Sequence, residues 1–254
     1  ELPSYEHMYW YSGQQIIRGS RFVKSHNQLF GFFITNFSCG PDSFIISYFR
    51  KIMGVKPSLT LELDSHSADV GVDTRIDAAM DIIKNYLELK KQNKINDQTA
   101  EFKPLVVGGN KGKFVITESE GKNYNLCSPE VEVVIPSMGR FGTELLAAVF
   151  KSVGVNAKPL PVPTLKTLKY GRSHTSCKEC LPFILTTGSM IEYVNEENIE
   201  GKKILFFMPH STGPCRQGQY FIGLKDTINE LKLKDVGVLS LNDENSYGGL
   251  GLKF

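Results

Sequence analysis

Strand-sized apolar runs that alternate with helical patterns are the feature that most limits how this chain can fold. Before residue 100, helical spacing of apolar residues predicts helices over 9–25, 42–54 and 73–93. Between them, the runs at 29–37 and 57–67 have the β-branched and aromatic content of strands. A strand that is followed by a helix and then by another strand favours a parallel sheet with helices on its faces.

The same alternation returns after residue 130. It predicts four strands, at 131–139, 156–163, 202–211 and 236–241, and four helices, at 143–154, 164–169, 180–194 and 219–232. Right-handed crossovers then connect parallel strands. We therefore predict an α/β protein, doubly wound with mostly parallel sheets and flanking helices, in two Rossmann- or flavodoxin-like lobes.

The stretch between these two halves is different in composition. Residues 92–127 are polar and glycine-rich, and their apolar segments are short. We therefore predict a first α/β lobe over 1–100, an insertion or linker over 101–130 and a second α/β lobe over 131–254.

Charge and hydropathy exclude several classes of partner. The chain has 29 basic and 27 acidic residues and a net charge of +2, which gives no electrostatic case for nucleic acid. Its longest apolar runs are strand-sized, so we predict no membrane span, and residues 1–15 lack the pattern of a signal peptide. Five cysteines are an odd number and few for a chain of 254 residues, which favours the reducing cytoplasm.

Four of the five cysteines fall where ligands bind in open parallel sheets. Cys39 and Cys215 each follow a predicted strand, and Cys177 and Cys180 form a CxxC pair that opens a helix. Ligands in such sheets bind beyond the carboxyl ends of the strands, where helix N-termini also point. Cys127 precedes its strand, so we expect it at the opposite edge and not as a ligand.

A CxxC pair is found in metal clamps, iron–sulfur sites, redox dithiols and disulfides. Zinc normally requires a second closely spaced pair of Cys or His, which this chain lacks, so a cluster held by scattered thiolates is favoured over zinc. A redox dithiol needs only Cys177 and Cys180, and it leaves Cys39 and Cys215 unexplained. Single cysteines can also be small buried apolar residues.

Polar residues near the cysteines are candidates for tuning a bound group. Arg172 and His174 precede the CxxC pair and Arg216 follows Cys215, where each could donate hydrogen bonds to sulfur or lie solvated at the surface.

Two further loops follow strands in the same manner. The loop at 136–144 could hold an anion with its backbone amides and Arg140, or be a plain strand-to-helix turn. The loop at 63–75 carries His66 and is either a site loop or a helix start capped by Asp73 or Thr74.

Five stretches together are similar to a known family: "TNFSCGPDSFI", "ELDSHSADVGVDTR", "PSMGRFGTE", "GRSHTSCKECLP" and "GPCRQGQY". The chain resembles the carboxyl-terminal part of the large activase-like proteins related to 2-hydroxyacyl-CoA dehydratases and to the double-cubane cluster protein. The resemblance extends over nearly the whole chain, with its motifs in order.

This resemblance implies an anaerobic system in which an ATP-hydrolysing activator passes a low-potential electron to an iron–sulfur partner. It implies a [4Fe–4S] cluster bound by Cys39, Cys180 and Cys215, with Cys177 as a candidate fourth ligand. It further implies that the activator module belongs to the same full-length polypeptide. The chain would then be part of an ATP-dependent iron–sulfur reductase or a 2-hydroxyacyl-CoA dehydratase-like enzyme.

Three functional hypotheses result. The first is an iron–sulfur electron-transfer or reductase domain that passes low-potential electrons to a small substrate. The second is a structural or docking domain of a larger activase protein, without a cluster. The third is a thiol–disulfide enzyme that uses Cys177 and Cys180.

Overall fold

The computed structural model describes residues 8–36, 40–65, 67–95, 102–110 and 113–241. The chain divides into two compact units, Glu1–Ala100 and Glu101–Phe254. Each contains a parallel sheet with flanking helices, which confirms the predicted α/β class.

The first unit alternates helices and strands as the sequence predicts. Its elements are α1 (Tyr11–Ser25), β1 (Gly31–Thr35), α2 (Asp42–Met53), β2 (Ser58–Glu62) and α3 (Asp69–Lys91). Strands β1 and β2 pair in parallel, from Gly31 opposite Ser58 to Thr35 opposite Glu62. Helix α2 supplies most of the core, because it buries Phe44, Tyr48 and Met53.

Helix α3 begins earlier than the capping pattern predicts. Its first residue is Asp69 and its N-cap is Ala68, which has no side-chain capping bond. The predicted cap at Asp73 or Thr74 is therefore wrong, and the Thr74 hydroxyl donates to the Val70 carbonyl within the helix. The chain already turns at Asp64, whose amide donates to the Ser67 hydroxyl at 2.9 Å, so the helix starts directly after that turn.

The second unit contains more strands. Its strands are β3 (Val106–Asn110), β4 (Lys113–Thr117), β5 (Asn123–Tyr124), β6 (Val131–Ile135), β7 (Ala157–Pro159), β8 (Lys203–Phe207) and β9 (Val236–Leu239). Its α-helices are α4 (Arg140–Ser152), α5 (Leu165–Ser173), α6 (Leu181–Glu196) and α7 (Tyr220–Glu230). Four strands form a parallel sheet in the order β7-β6-β8-β9, and the central strands β6 and β8 are buried along their whole length.

The segment for which the sequence predicts an insertion or linker packs into the core of the second unit. Strands β3, β4 and β5 form an antiparallel sheet, and Leu105, Ile116 and Leu126 join the core cluster around β6 and β8. The backbone at Leu105 can approach β9 closely because Gly237 in β9 has no side chain. A Cβ there would lie 2.7 Å from the Leu105 carbonyl oxygen. The segment is mostly polar and its apolar residues are few, so the sequence pattern does not show that they belong to the core.

No helix in the described parts of the chain has the length and apolar character needed to cross a membrane.

Candidate functional site

The CxxC loop joins two helices that pack unusually closely. A Cβ on Gly188 of α6 would lie 2.1 Å from the Thr167 carbonyl oxygen of α5, and one on Gly171 would lie 2.0 Å from the Ile184 carbonyl oxygen. Thr164 caps the start of α5, where its hydroxyl accepts from the Lys166 and Thr167 amides. The two glycines therefore let the helix backbones touch, and this contact fixes both ends of the loop.

Within that loop, the two cysteines have different surroundings. Cys177 is exposed, adopts a left-handed backbone with φ of 60°, and places its Sγ 3.5 Å from the Arg172 carbonyl oxygen. Cys180 is half-buried and is the N-cap residue of α6, with Pro182 in the first turn. The Cys180 thiol thus faces the protein interior, whereas the Cys177 thiol remains accessible.

Cys215 lies in a second loop, which follows the carboxyl end of β8. The Gln217 side-chain amide donates to the Pro209 carbonyl, and the Ser240 hydroxyl donates to the Met208 carbonyl at 2.8 Å. His210 Nδ1 lies 2.7 Å from the same hydroxyl. These bonds fasten the loop to the end of β8 and to Ser240, directly after β9, so Cys215 lies where the chain turns into a 3₁₀ turn and then α7.

The two loops meet at Tyr220, the first residue of α7. Its hydroxyl oxygen lies 2.6 Å from Cys180 Sγ, although 40 residues separate them in sequence. Burial raises the pKa of Tyr220, and the hydrogen bond with Cys180 and the charges of Cys180 and Cys215 raise it further. The positive charge of Arg216 acts in the opposite direction. Cys180 therefore contacts this hydroxyl, and the charges of Cys215 and Arg216 act on it.

Packing between α6 and α7 fixes this arrangement. The Phe183 ring lies 5.1 Å from the Tyr220 ring, centroid to centroid, and Phe183 occupies the space over Gly223, where a Cβ would be 2.5 Å from the ring. A side chain at Gly223 would have to displace the Phe183 ring, which packs against Tyr220 and lies three residues after Cys180.

Among the other predicted site residues, Arg172 contacts Cys177 through its backbone carbonyl. His174 Nδ1 lies 2.9 Å from the Tyr170 carbonyl oxygen, and Arg172 is exposed. Arg140 begins α4 and pairs with Glu144 of the same helix at 3.4 Å, with both side chains mostly exposed. Cys39 and His66 lie outside the described residues.

Cys127 is placed apart from these loops in the fold. It precedes β6, at the amino end of that strand, and its Sγ lies 3.8 Å from the Val153 carbonyl oxygen. This placement agrees with the reasoning that a cysteine before its strand lies at the opposite edge of a parallel sheet.

Sequence reasoning missed two residues at this site. Tyr220 lies five residues after Cys215, and its position at a predicted helix start is the signal that could identify it. Glu179 lies between the two CxxC cysteines; its Oε1 accepts from the Ser176 amide at 3.4 Å, and its Oε2 is buried without a hydrogen-bond partner. Nothing in the sequence pattern distinguishes Glu179 from a surface carboxylate.

The donor set suits a soft metal centre in its chemistry. Thiolates are the usual ligands of iron–sulfur clusters. Cys180 contacts Tyr220, and Cys215 lies five residues before Tyr220 in the chain. Among the residues that the structure describes, no three His, Cys, Asp or Glu side chains are grouped so as to hold a metal ion. Cys39, the predicted third ligand, lies outside those residues.

Comparisons with known proteins give no match: no family model, no curated protein and no solved structure is similar to this chain. The resemblance drawn from the five motifs therefore stays a prediction.

Proposed function

We propose that this chain is an iron–sulfur electron-transfer or reductase domain of an ATP-dependent activase–dehydratase-type system. In this proposal Cys39, Cys180 and Cys215 bind a [4Fe–4S] cluster, with Cys177 as a candidate fourth ligand. When bound, the cluster supplies one-electron transfer at low potential to a small substrate.

One observation carries the proposal: two thiols that are distant in sequence, Cys180 and Cys215, both act on the buried hydroxyl of Tyr220. Structural cysteines in a core are usually separate small apolar residues. Two thiols from different loops that both act on one polar atom instead support a shared ligand site next to the carboxyl end of β8.

The neighbouring residues have distinct roles in the proposed site. Tyr220 retains its proton, because its pKa is raised, and therefore donates a hydrogen bond to the Cys180 sulfur. Arg216 supplies positive charge beside the thiolates. Donors and positive charge near cluster sulfurs stabilise the reduced, more negative state.

The proposal extends to the setting of the domain. The resemblance supports an ATP-hydrolysing activator in the same full-length polypeptide as the electron donor, under anaerobic conditions. The described cysteines are free thiols, which supports the reducing cytoplasm as the compartment.

Anaerobic reconstitution with iron and sulfide tests the proposal. We expect the parent chain to bind iron and sulfide in stoichiometric amounts and to give an electron paramagnetic resonance signal after reduction. Cys180→Ser and Cys215→Ser should each lose most of the iron, whereas Cys127→Ser should retain the parent content. Cys127 is the matched control, because its thiol is exposed like that of Cys215 but lies at the amino end of its strand.

A colourless parent protein without iron after reconstitution would contradict the proposal and favour a structural or docking domain. Loss of iron in Cys127→Ser equal to the loss in Cys180→Ser would show that binding is not specific to this site.

One observation favours a second candidate function, thiol–disulfide exchange. Cys177 is an exposed free thiol three residues before the helix N-cap Cys180, which is the arrangement of a redox dithiol. Reduction of insulin by the parent chain that disappears in Cys177→Ser, with Cys215→Ser still active, would establish this function in place of the first.

A further inference from the structure

Three lysines surround a cavity in the first unit, at the amino ends of β1 and β2. The cavity has a volume of about 320 Å³ and is lined by Lys24, Lys56, Tyr86, Lys90, Asn93 and Ile95. Its residues come from the end of α1, the turn before β2, and the end of α3. The volume is within the range of small-molecule sites.

Lys56 is the most unusual of the three, because only 5% of its surface is exposed. Its ammonium group donates to the backbone carbonyls of Val23, Lys24 and His26, at the end of α1. Burial lowers the pKa of Lys56, and the charges of Lys90 and Lys24 lower it further. The described charges that act on this buried cation are therefore positive.

The other two lysines are also held in place. Lys24 Nζ donates to the Met53 carbonyl, the last residue of α2, at 2.8 Å. Lys90 Nζ, in the last turn of α3, donates to Asn27 Oδ1 at 2.8 Å. These bonds fix the ammonium groups at the rim of the cavity.

Helix ends offset part of this positive charge. The carboxyl ends of α1, α2 and α3 lie here, and a helix C-terminus carries roughly half a negative charge. Three such ends balance about half of the three ammonium charges. A surplus of between one and two positive charges remains, which is the charge that a phosphate group of about −1.5 to −2 would neutralise.

We infer that this lysine pocket binds a small phosphate-bearing anion, with the phosphate among Lys24, Lys56 and Lys90. Lysine binds phosphate as a point charge and needs no fixed planar geometry, so Lys24 and Lys90 can contact the phosphate, while Lys56, whose three N–H donors are taken by carbonyls, adds its charge behind them. Asn93 also lines the cavity, and its side-chain amide carries donors. Tyr86, whose ring meets the Phe30 ring edge-on at 6.1 Å, gives an apolar wall for an organic group attached to the phosphate.

The inference does not depend on the thiol site. The pocket is built wholly from residues of the first unit, and Cys180, Cys215 and Tyr220 belong to the second. Failure of iron reconstitution would leave it unaffected, and failure of phosphate binding would leave the iron–sulfur proposal unaffected.

Calorimetric titration of the full chain at low ionic strength tests the inference, with inorganic phosphate and ribose 5-phosphate as separate probes. We expect saturable binding of at least one probe below about 10 mM. Lys90→Gln should weaken it about fivefold, because one nearby charge is lost in a partly solvated setting. Lys90 is exposed, so the substitution leaves the core intact.

Lys91→Gln is the matched control, because it removes the same charge one residue away and Lys91 does not line the cavity. It should bind within about twofold of the parent chain. Tighter binding of ribose 5-phosphate than of inorganic phosphate identifies a phosphate ester as the ligand class, and the reverse identifies the free ion. Absence of saturable binding of both probes, or equal weakening by Lys90→Gln and Lys91→Gln, would overturn the inference and leave the lysines as caps of helix ends.

Discussion

The thiol site lies at the carboxyl-end edge of the parallel sheet of the second unit, whereas the lysine pocket lies at the amino-end edge of the separate parallel sheet of the first unit. Cys215 follows the carboxyl end of β8 and Cys180 is the N-cap of α6, whereas the lysines lie at the amino ends of β1 and β2, where α1, α2 and α3 end. Helix N-termini favour negative groups and helix C-termini favour positive ones. Both regions obey this rule, so the sign of charge at each site follows from the topology.

The two regions differ in what holds them together. The thiol site depends on backbone contact between α5 and α6 and on the packing of Phe183 against Gly223. Neither contact leaves space for a larger side chain at the glycines. The lysine pocket depends on hydrogen bonds from ammonium groups to helix-end carbonyls around an open cavity. A slightly larger residue in the thiol site should therefore lower the stability of the protein far more than the loss of a charge in the lysine pocket.

The largest expected effect is that of Gly188→Ala. A Cβ at this position would lie 2.1 Å from the Thr167 carbonyl oxygen, so α5 and α6 must move apart. We expect the free energy of unfolding to fall by about 3 kcal/mol, at the upper end of overpacking effects. Denaturant unfolding followed by circular dichroism measures it.

Gly142→Ala, inside α4, is the control for that substitution. No atom lies within 4 Å of a Cβ at Gly142, so the added methyl group should be neutral or stabilise the helix by up to about 1 kcal/mol. Equal unfolding midpoints for the two variants would show that the close helix contact does not hold the CxxC loop in place.

A smaller loss of stability is expected from Lys56→Met in the lysine pocket. The variant keeps an unbranched apolar stem but removes the donor to the Val23, Lys24 and His26 carbonyls. Relief of repulsion from Lys24 and Lys90 offsets part of the cost, so we expect a decrease of about 2 kcal/mol in the free energy of unfolding. Thermal unfolding in parallel with Lys91→Met, whose exposed side chain should change stability by less than about 0.5 kcal/mol, provides the measurement. A more stable Lys56→Met would mean that burying this charge costs more than its hydrogen bonds contribute.

The contrast between the two regions also explains what the sequence could predict. The periodicity of apolar residues predicts the strands of both parallel sheets and the helices that flank them. Cys215 follows the predicted strand that corresponds to β8, and Cys127 precedes the one that corresponds to β6. A CxxC pair is visible as a local pattern. The lysine pocket has no such pattern, because Lys24, Lys56 and Lys90 come from three separate elements and converge only when the helix ends do.

Two other features were beyond sequence reasoning for related reasons. The polar composition of segment 101–130 predicts an insertion or linker, yet Ile116 and Leu126 are buried in the core of the second unit. The sequence predicts a helix at Tyr220 but no role for its side chain, since its proximity to Cys180 depends on the packing of α6 against α7. Local patterns predict elements and their ends, whereas contacts between elements distant in sequence require the folded chain.

The smallest expected effect concerns the charge around the thiols, and it tests whether the carboxyl-end edge is tuned for a negative group. Tyr220→Phe removes the hydroxyl that lies 2.6 Å from Cys180 Sγ, and Arg216→Gln removes the positive charge that acts on Tyr220. In the reconstituted protein each variant should lower the midpoint potential, Tyr220→Phe by about 40 mV, which corresponds to one hydrogen bond of about 1 kcal/mol for a one-electron step. Iron content should stay near that of the parent. Tyr170→Phe is the control, because it removes a tyrosine hydroxyl that bonds to Glu196, and its potential should be unchanged. Potentials equal to the parent in both Tyr220→Phe and Arg216→Gln would show that neither residue stabilises charge at the thiols.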